Sequence, residues 1–333
     1  MGFGMFLGVD LGTTRTRISS RDRGILLDIP TAVAIQSATS EIIAIGESAY
    51  ELMGRTPSSI QVIKPITNGV ISDSALMQVL LKKCFQEVLE GFLARYFRPT
   101  VVVAVPGSIT DVEKQAVYDT LKRAGAKQVF AIRSSLAAAL GAGINITQVG
   151  GHMVVVLGGG TTEIAVISMR EPTSEVSLKI GGDQLDEDIV RFIRTEYNLS
   201  IGLQTANRIK REIGTAYPSS SFSSSMSVSG LDVSSNKPSQ VAVKSADIFK
   251  AMEPNLLSIL EGVSDSFINT PPELMSDIKQ NGIVLTGGGA NLRSLSQLLS
   301  EKMGVPVKTA NNPADCVALG TAQALSLLDQ LFT

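Results

Sequence analysis

Along the chain, short uninterrupted apolar runs alternate with longer stretches in which apolar residues return every three or four positions. The first pattern marks a strand buried on both faces, the second an amphipathic helix. Residues 5–9 and 15–20 predict two short strands around the turn DLGTT, and 25–35 and 41–46 predict two more. Residues 74–97 carry apolar side chains at helical spacing and predict one long amphipathic helix. TVVVAVP at 100–106 predicts a buried strand stopped by proline. At 111–125 acids lead, bases follow and a glycine closes, the order that a helix dipole favours. QVFAI then predicts a strand, and the small residues of 135–143 a helix.

The second half repeats the scheme. In VVVLGGGTTEIAVIS, Val154 to Ser168, three glycines and two threonines stand between two apolar runs. EVSLKI predicts a strand, GGDQLDEDIVRFIRTEYN a glycine turn running into a helix, and TANRIKREIG at 205–214 another helix. Serine dominates 219–230, which reads as a mobile surface loop. Two strands, a long helix near 245–270 and a strand, glycine turn and helix at 282–304 complete the order. Strands alternating with helices throughout place the chain in the α/β class. FLGVDLGTTRTRIS and VVVLGGGTTEIAVIS are one device used twice, about half a chain apart. Two similar domains facing each other across a cleft are the simple expectation.

Composition narrows the functional classes. The 333 residues are 44% hydrophobic and 18% charged with a net charge of −2, enough for two cored domains but without the basic excess that nucleic-acid binding usually needs. Cys84 and Cys316 lie far apart without metal-ligand spacing and read as reduced thiols. His152 has no second histidine to share a metal with. No apolar run approaches the ~20 residues of a membrane span. The first residues lack the basic region of a secretory signal, and Phe6 stands where myristoylation at Gly2 would require Ser or Thr. The resulting expectation is a cytoplasmic protein.

The glycine turns carry the chemistry. Glycine leaves backbone N–H groups unobstructed and reaches positive φ, so successive N–H groups can converge on an anion, most usefully a phosphate. The hydroxyls of Thr13, Thr14, Thr161 and Thr162 add donors. Two such hairpins from opposed domains would clamp a polyphosphate from both sides. A third turn, TGGGA at 286–290, would let the backbone lie flat against a base or sugar. Neither the P-loop pattern nor the dinucleotide fingerprint occurs, which sets aside both of those folds. Arg208 and Lys210 stand on a basic helix face; reaching a nucleoside and facing solvent are equally open readings.

The three glycine elements in this order match the actin superfamily. GRTPSSIQVIKPITNGVISD at 54–73, GGGTTEIAVIS, IGGDQLDEDIV, RIKREIGTAYP, PPELMSDIKQNGIVLTGGGANLRSL and CVALGTAQAL go further: they resemble the bacterial actin MreB family, from about residue 5 to 328. The resemblance implies an actin-like fold of two α/β domains around a nucleotide cleft, each with a small outer subdomain. On this chain that gives a first domain at 1–145 with its outer part near 33–65. The second spans 146–315 with its outer part near 182–250, and a C-terminal helix at 316–333 returns to the first. It also implies ATP, with GTP as an alternative, bound with Mg²⁺, and head-to-tail filaments of the protein itself. These filaments lie at the inner face of the cell membrane, with other bacterial actin paralogues and the wall-elongation machinery as partners. Carried over by motif, Gly12, Thr13, Thr14 and Gly158, Gly159, Gly160 and Thr161 contact phosphate. Asn207, Arg208, Ile209, Lys210 and Gly287, Gly288, Gly289 and Ala290 contact the nucleoside.

Three departures from the family pattern bear on hydrolysis. Val156 stands where the family has an aspartate before the central turn, leaving Asp10 as the carboxylate that would hold Mg²⁺ through water. Arg133, Ser134 and Ser135 replace Glu-Glu-Pro, so Ser134 stands where the water-orienting glutamate is expected. Arg15 follows the first turn, either as a phosphate partner or as a solvent-facing strand residue. Asp10, Thr161 and Asp73 remain as candidate catalytic residues. The expected function is a filament-forming nucleotide-binding protein with weak or absent hydrolysis. The alternative is a non-polymerising relative that regulates another bacterial actin; a small-molecule kinase lacks any matching motif. GFGMF at the start and RYF at 95–97, with Arg95 and Arg98, suit a membrane interface or ordinary packing equally well.

Overall fold

The computed structural model describes residues 5–89, 98–217 and 223–331. Two five-stranded sheets dominate it, and they are built alike. In the first, the order is Gln128–Arg133, Thr100–Val105, Phe6–Leu11, Arg15–Ser20, Gly24–Pro30. In the second it is Val307–Thr309, Ile283–Thr286, His152–Leu157, Thr162–Ser168, Glu171–Leu178. In each, the central strand pairs antiparallel with the strand that follows its glycine turn, and parallel with a strand from much later in the chain. The repeated sequence device is thus a repeated topology, with a glycine turn at the same corner of both sheets.

Each sheet has its own core. Leu7, Val9, Ile18, Val101 and Val103 pack against the helices Ser74–Val88 and Asp111–Ala124, through Leu80, Leu81, Val117 and Leu121. Met153, Val155, Ile164 and Val166 pack against Gly182–Glu196, Leu203–Ile213 and Ser245–Ile268, through Ile189, Ile209 and Ile259. A third core joins the halves. The opposite faces of the two sheets, Val102 and Ala104 on one and Val154, Val156 and Ala165 on the other, enclose the helices Ser134–Gly141 and Cys316–Ala324. These two helices touch backbone to backbone. A Cβ added at Gly141 would overlap the Cys316 carbonyl, and one at Gly320 the Ala137 carbonyl. The Ser19 hydroxyl donates to Ala318 O at 2.5 Å and ties the last of these helices to the first sheet.

Smaller sheets sit outside this frame. Ile42–Ile45, Val33–Gln36 and Ile60–Ile63 form one. Leu199–Ser200, Ser225–Asp232 and Pro238–Lys244 form another.

Several expectations are corrected. The strand expected over 25–35 ends at Pro30 and restarts at Val33, because proline donates no ladder hydrogen bond. Residues 225–230 are strand rather than loop: Met226 and Val228 alternate with serines, so one face packs and the other meets solvent. Of the rest of that serine-rich segment, 223–224 are non-strand connection and 219–222 lie outside the described residues. The turn at Gly287 leads into a short 3₁₀ turn, Gly288–Asn291, and the helix begins at Leu295. The C-terminal helix is broken: Cys316–Ala324 gives way to a 3₁₀ turn at Leu325–Leu327 and a last turn, Leu328–Leu331. The amphipathic helix is described over Ser74–Val88, and its expected continuation through 90–97 lies outside the described residues.

Candidate functional site: a cleft between two glycine turns

The two corner turns meet across a cavity of about 580 Å³, a size suited to a small organic ligand. It brings together Asp10, Gly12, Thr13, Thr14 and Arg15 from the first turn and Gly158, Gly159, Gly160 and Thr161 from the second. Asn207 and Lys210 line it from the helix Leu203–Ile213, and Gly287, Gly288 and Gly289 from the third turn.

Five expected residues stand elsewhere. Thr162 is buried, and its hydroxyl donates to Ile180 O at 2.7 Å instead of entering the cavity. Asp73 caps the helix Ser74–Val88, its Oδ1 accepting from Leu76 N at 2.9 Å, and is not among the residues lining the cavity. Ile209 is fully buried in the second core, on the apolar stripe that it forms with Ala206 and Ile213 at helical spacing. Ala290 is buried in the same core. Arg208 lines a separate groove with Tyr50, Arg55 and Gln204, where the Gln204 side chain donates to Tyr50 O at 2.7 Å.

The turns leave no room for side chains. A Cβ at Gly159 would overlap Thr14 Oγ1, and one at Gly160 would lie 2.5 Å from Thr13 Oγ1 and 3.0 Å from Asn68 Cα. The second turn closes on itself through Gly158 N to Thr161 O, 2.8 Å. Its carbonyls receive the start of the next helix, Gly182 N to Gly158 O at 2.9 Å and Asp183 N to Gly159 O at 2.8 Å. The small hairpin Ile66–Thr67 and Val70–Ile71 covers the first turn, with Gly69 N donating to Thr13 Oγ1 at 3.1 Å. An Asn-Gly pair between apolar residues is a strong hairpin signal, so this lid element was readable from residues 68–69.

Charge around the first turn forms one network. Arg17 lies 3.8 Å from Asp10, 3.3 Å from Asp28 and 3.5 Å from Asp315. Burial raises the Asp10 carboxyl to about 6; Arg17 opposes the shift and Asp28 adds to it. Asp10 is therefore mostly ionised at neutral pH and protonates just below it. Arg15 pairs with Asp28 at 2.6 Å and approaches Glu47 at 3.9 Å, so its guanidinium is held by acids at the cavity wall. On the facing side, Lys210 pairs with Asp186 at 2.8 Å and donates to Gly182 O at 2.5 Å, while Asn207 donates to Asp186 at 2.9 Å. Burial pushes the Asp186 carboxyl up, opposed chiefly by Lys210. Lys64 pairs with Asp183 at 2.7 Å across the halves.

The second turn is furnished differently. Val156 is buried, and its cross-strand partner is Glu163, whereas Asp10 stands opposite Arg17. Glu163 is 2% exposed and lines the cavity. Its carboxylate accepts from Ser177 Oγ at 2.8 Å and Gly107 N at 3.2 Å, and burial raises its pKa. Sequence reasoning passed over Glu163; the signal was a lone acid within the apolar run after the threonines. Ser134 lines the cavity as well. Arg133 and Ser135 instead engage Glu175, Ser135 Oγ at 2.8 Å and Arg133 through an ion pair. Among the described residues no group of three His, Cys, Asp or Glu could hold a metal alone. A hard cation here would thus take most of its ligands from phosphate and water, with Asp10 behind the water.

The chain matches the family model described as MreB/Mbl protein over residues 4–333. It is 38% identical to the cell shape-determining protein Mbl of Bacillus subtilis, covering 99% of this chain and 98% of that protein. It is 40% identical to the cell shape-determining protein MreB of Escherichia coli, covering 98% and 95%. Among solved structures, MreB 5 of Spiroplasma citri bound to AMPPNP superposes with a TM-score of 0.94 at 32% identity, covering 99% and 98%. The MamK double helical filament superposes at 0.82 with 20% identity, covering 96% and 98%, a likeness of fold alone.

Proposed function

The chain belongs to the MreB/Mbl family and has the actin-like fold, and on that premise we propose that it binds ATP between the two glycine turns and assembles into cytoskeletal filaments that guide cell shape. The observation that carries this reading is the meeting of the two turns: backbone donors from both halves converge on one cavity with no Cβ in the way. Gly12 to Thr14 and Gly158 to Thr161 would hold the phosphates, and Asn207, Lys210 and Gly287 to Gly289 the nucleoside. Asp10 would face the hydration shell of a Mg²⁺ that the phosphates bring with them. The Spiroplasma relative bound to AMPPNP supports the ligand class. The domain division follows the same logic, 1–145 and 146–315 closing on the cleft with 316–333 returning to the first half.

Hydrolysis in this reading is slow. Val156 supplies no carboxylate to the cation, and the Ser134 hydroxyl is no base at neutral pH. Membrane contact belongs to the proposal too, at the inner face of the cell membrane alongside paralogues and the wall-elongation machinery. Met5 and Phe6 are exposed where the central strand of the first sheet begins; 2–4 and 95–97 lie outside the described residues. No described helix is long and apolar enough to cross a membrane. Fluorescent-nucleotide titration, with ATP and GTP competing, together with electron microscopy with and without ATP, tests the reading. Saturable binding and ATP-dependent filaments are expected. Lasting monomers would favour the regulatory alternative, and absence of binding would refute the site.

A further inference from the structure

Glu163 is a buried acid on the cleft wall with hydrogen-bond donors around it but, among the described residues, no basic side chain at salt-bridge distance. The other two acids of the wall are neutralised: Asp10 by Arg17 and Asp183 by Lys64. Building a carboxylate into a strand and leaving it without a counter-charge is costly unless the group has a use. Its placement says what use. Cross-strand partners point to the same face of a sheet, so Glu163 shares the face of Val156. The side-chain hydrogen bond between them puts Glu163 beside Thr161, the last residue of the glycine turn. A Thr161 hydroxyl contact adds to those from Ser177 and Gly107. A carboxylate offers about four acceptor sites, so three donors fix its orientation and leave capacity for one more.

Resting on the nucleotide-binding reading above, we propose that Glu163 orients the water that attacks the terminal phosphate, the task left open by Ser134. The water oxygen bonds to the terminal phosphorus while the bond from that phosphorus to its bridging oxygen breaks. The diphosphate leaves with the electron pair, and the water's proton passes toward the Glu163 carboxylate and on to solvent. Slow hydrolysis is thereby retained by an acid on the neighbouring strand, and its burial keeps the carboxylate more basic than an ordinary glutamate. The groups facing it are few. The strand Glu171–Leu178 brings Ser177 and the like-charged Glu175, which Arg133 partly neutralises; the strand His152–Leu157 and residues 106–108 bring no charge.

The test uses the full chain with labelled-ATP anisotropy for affinity and single-turnover phosphate release from pH 5 to 9. Glu163→Gln is expected to bind ATP within about threefold of wild type while releasing phosphate about 100-fold more slowly, and Glu163→Asp to recover part of that loss. Ser177→Ala removes a hydrogen bond that holds the carboxyl down, so the acid limb of the profile should move to higher pH, a change that a purely structural role would not produce. Glu163→Gln releasing phosphate at the wild-type rate overturns the proposal. So does wild type that binds ATP and releases none, or a variant whose loss is entirely in ATP affinity. Weaker Mn²⁺ binding by Glu163→Gln in the ATP complex, matched to the rate loss, overturns it in favour of a cation role. Wild type that binds no nucleotide fails at the earlier reading instead.

Discussion

The two glycine turns share a backbone and divide the chemistry between them. Both sit between antiparallel strands at the same corner of equivalent sheets, and both end in a threonine pair. In the first, the acid precedes the turn at Asp10 and faces Arg17, which ties it to Asp28 and Asp315. In the second, the acid follows the turn at Glu163 and faces Val156. One carboxylate is embedded in a charge network; the other is held by hydrogen-bond donors, with no basic side chain at salt-bridge distance among the described residues. The difference teaches that what the two turns share is backbone. The ionisable groups can change strands without disturbing it, because cross-strand positions project from the same face.

The comparison can be broken most forcefully at the backbone. Gly159→Val puts side-chain atoms where Thr14 stands, and it should abolish detectable ATP binding by displacing charge-assisted donors worth about 2–3 kcal/mol each. Titration calorimetry checks this, and near-normal affinity would show that the turns do not share a ligand. Restoring symmetry is the next largest change. Val156→Asp places a second buried carboxylate opposite Glu163, so it should lower stability of the ligand-free protein by about 1–3 kcal/mol. In the ATP complex the same variant should tighten Mn²⁺ binding by roughly tenfold, read by electron paramagnetic resonance.

The first turn offers a pH test. The folded Asp10 carboxyl is raised to about 6, above its unfolded value, so the folded state holds its proton more firmly than the unfolded state does. Stability from this group is therefore present at acid pH and lost as pH rises towards and through about 6. Asp10→Asn should raise the melting temperature of the ligand-free protein at pH 7.5, by roughly 2–4 °C, and leave it nearly unchanged at pH 4. An equal shift at both pH values would mean that the effect is steric. The smallest change is expected at the seam. Arg133 is half-exposed where it pairs with Glu175, so Arg133→Ala should cost less than about 1 kcal/mol in denaturant unfolding, and less still at high salt.

Local signals made the frame legible. An apolar run, a glycine turn and another apolar run are contiguous in sequence, so both hairpins, their equivalence and the cleft between them could be read directly. Long-range neighbours could not. Arg15 is thirteen residues from Asp28, and only the register of two strands brings them together. Asp73 reads as a free acid until the helix it caps is in place. Residues 225–230 look like low complexity because serine masks a two-residue alternation whose buried face depends on Leu199 and on strand Pro238–Lys244. Glu163 was hidden for a related reason: its partners at Gly107 and Ser177 come from two other strand ends.

Gly141 and Gly320, which do not line the cavity, press their helices backbone to backbone between the two sheets. In a saturation-mutagenesis screen scored by cell shape, substitutions there should read as loss-of-function just as those at Gly159 do. Only a second axis, protein abundance, would tell them apart: depleted at the helix crossing, preserved at the turn. A catalogue of intolerant glycines in this chain would thus mix two kinds of constraint, one imposed by a ligand and one by the protein on itself.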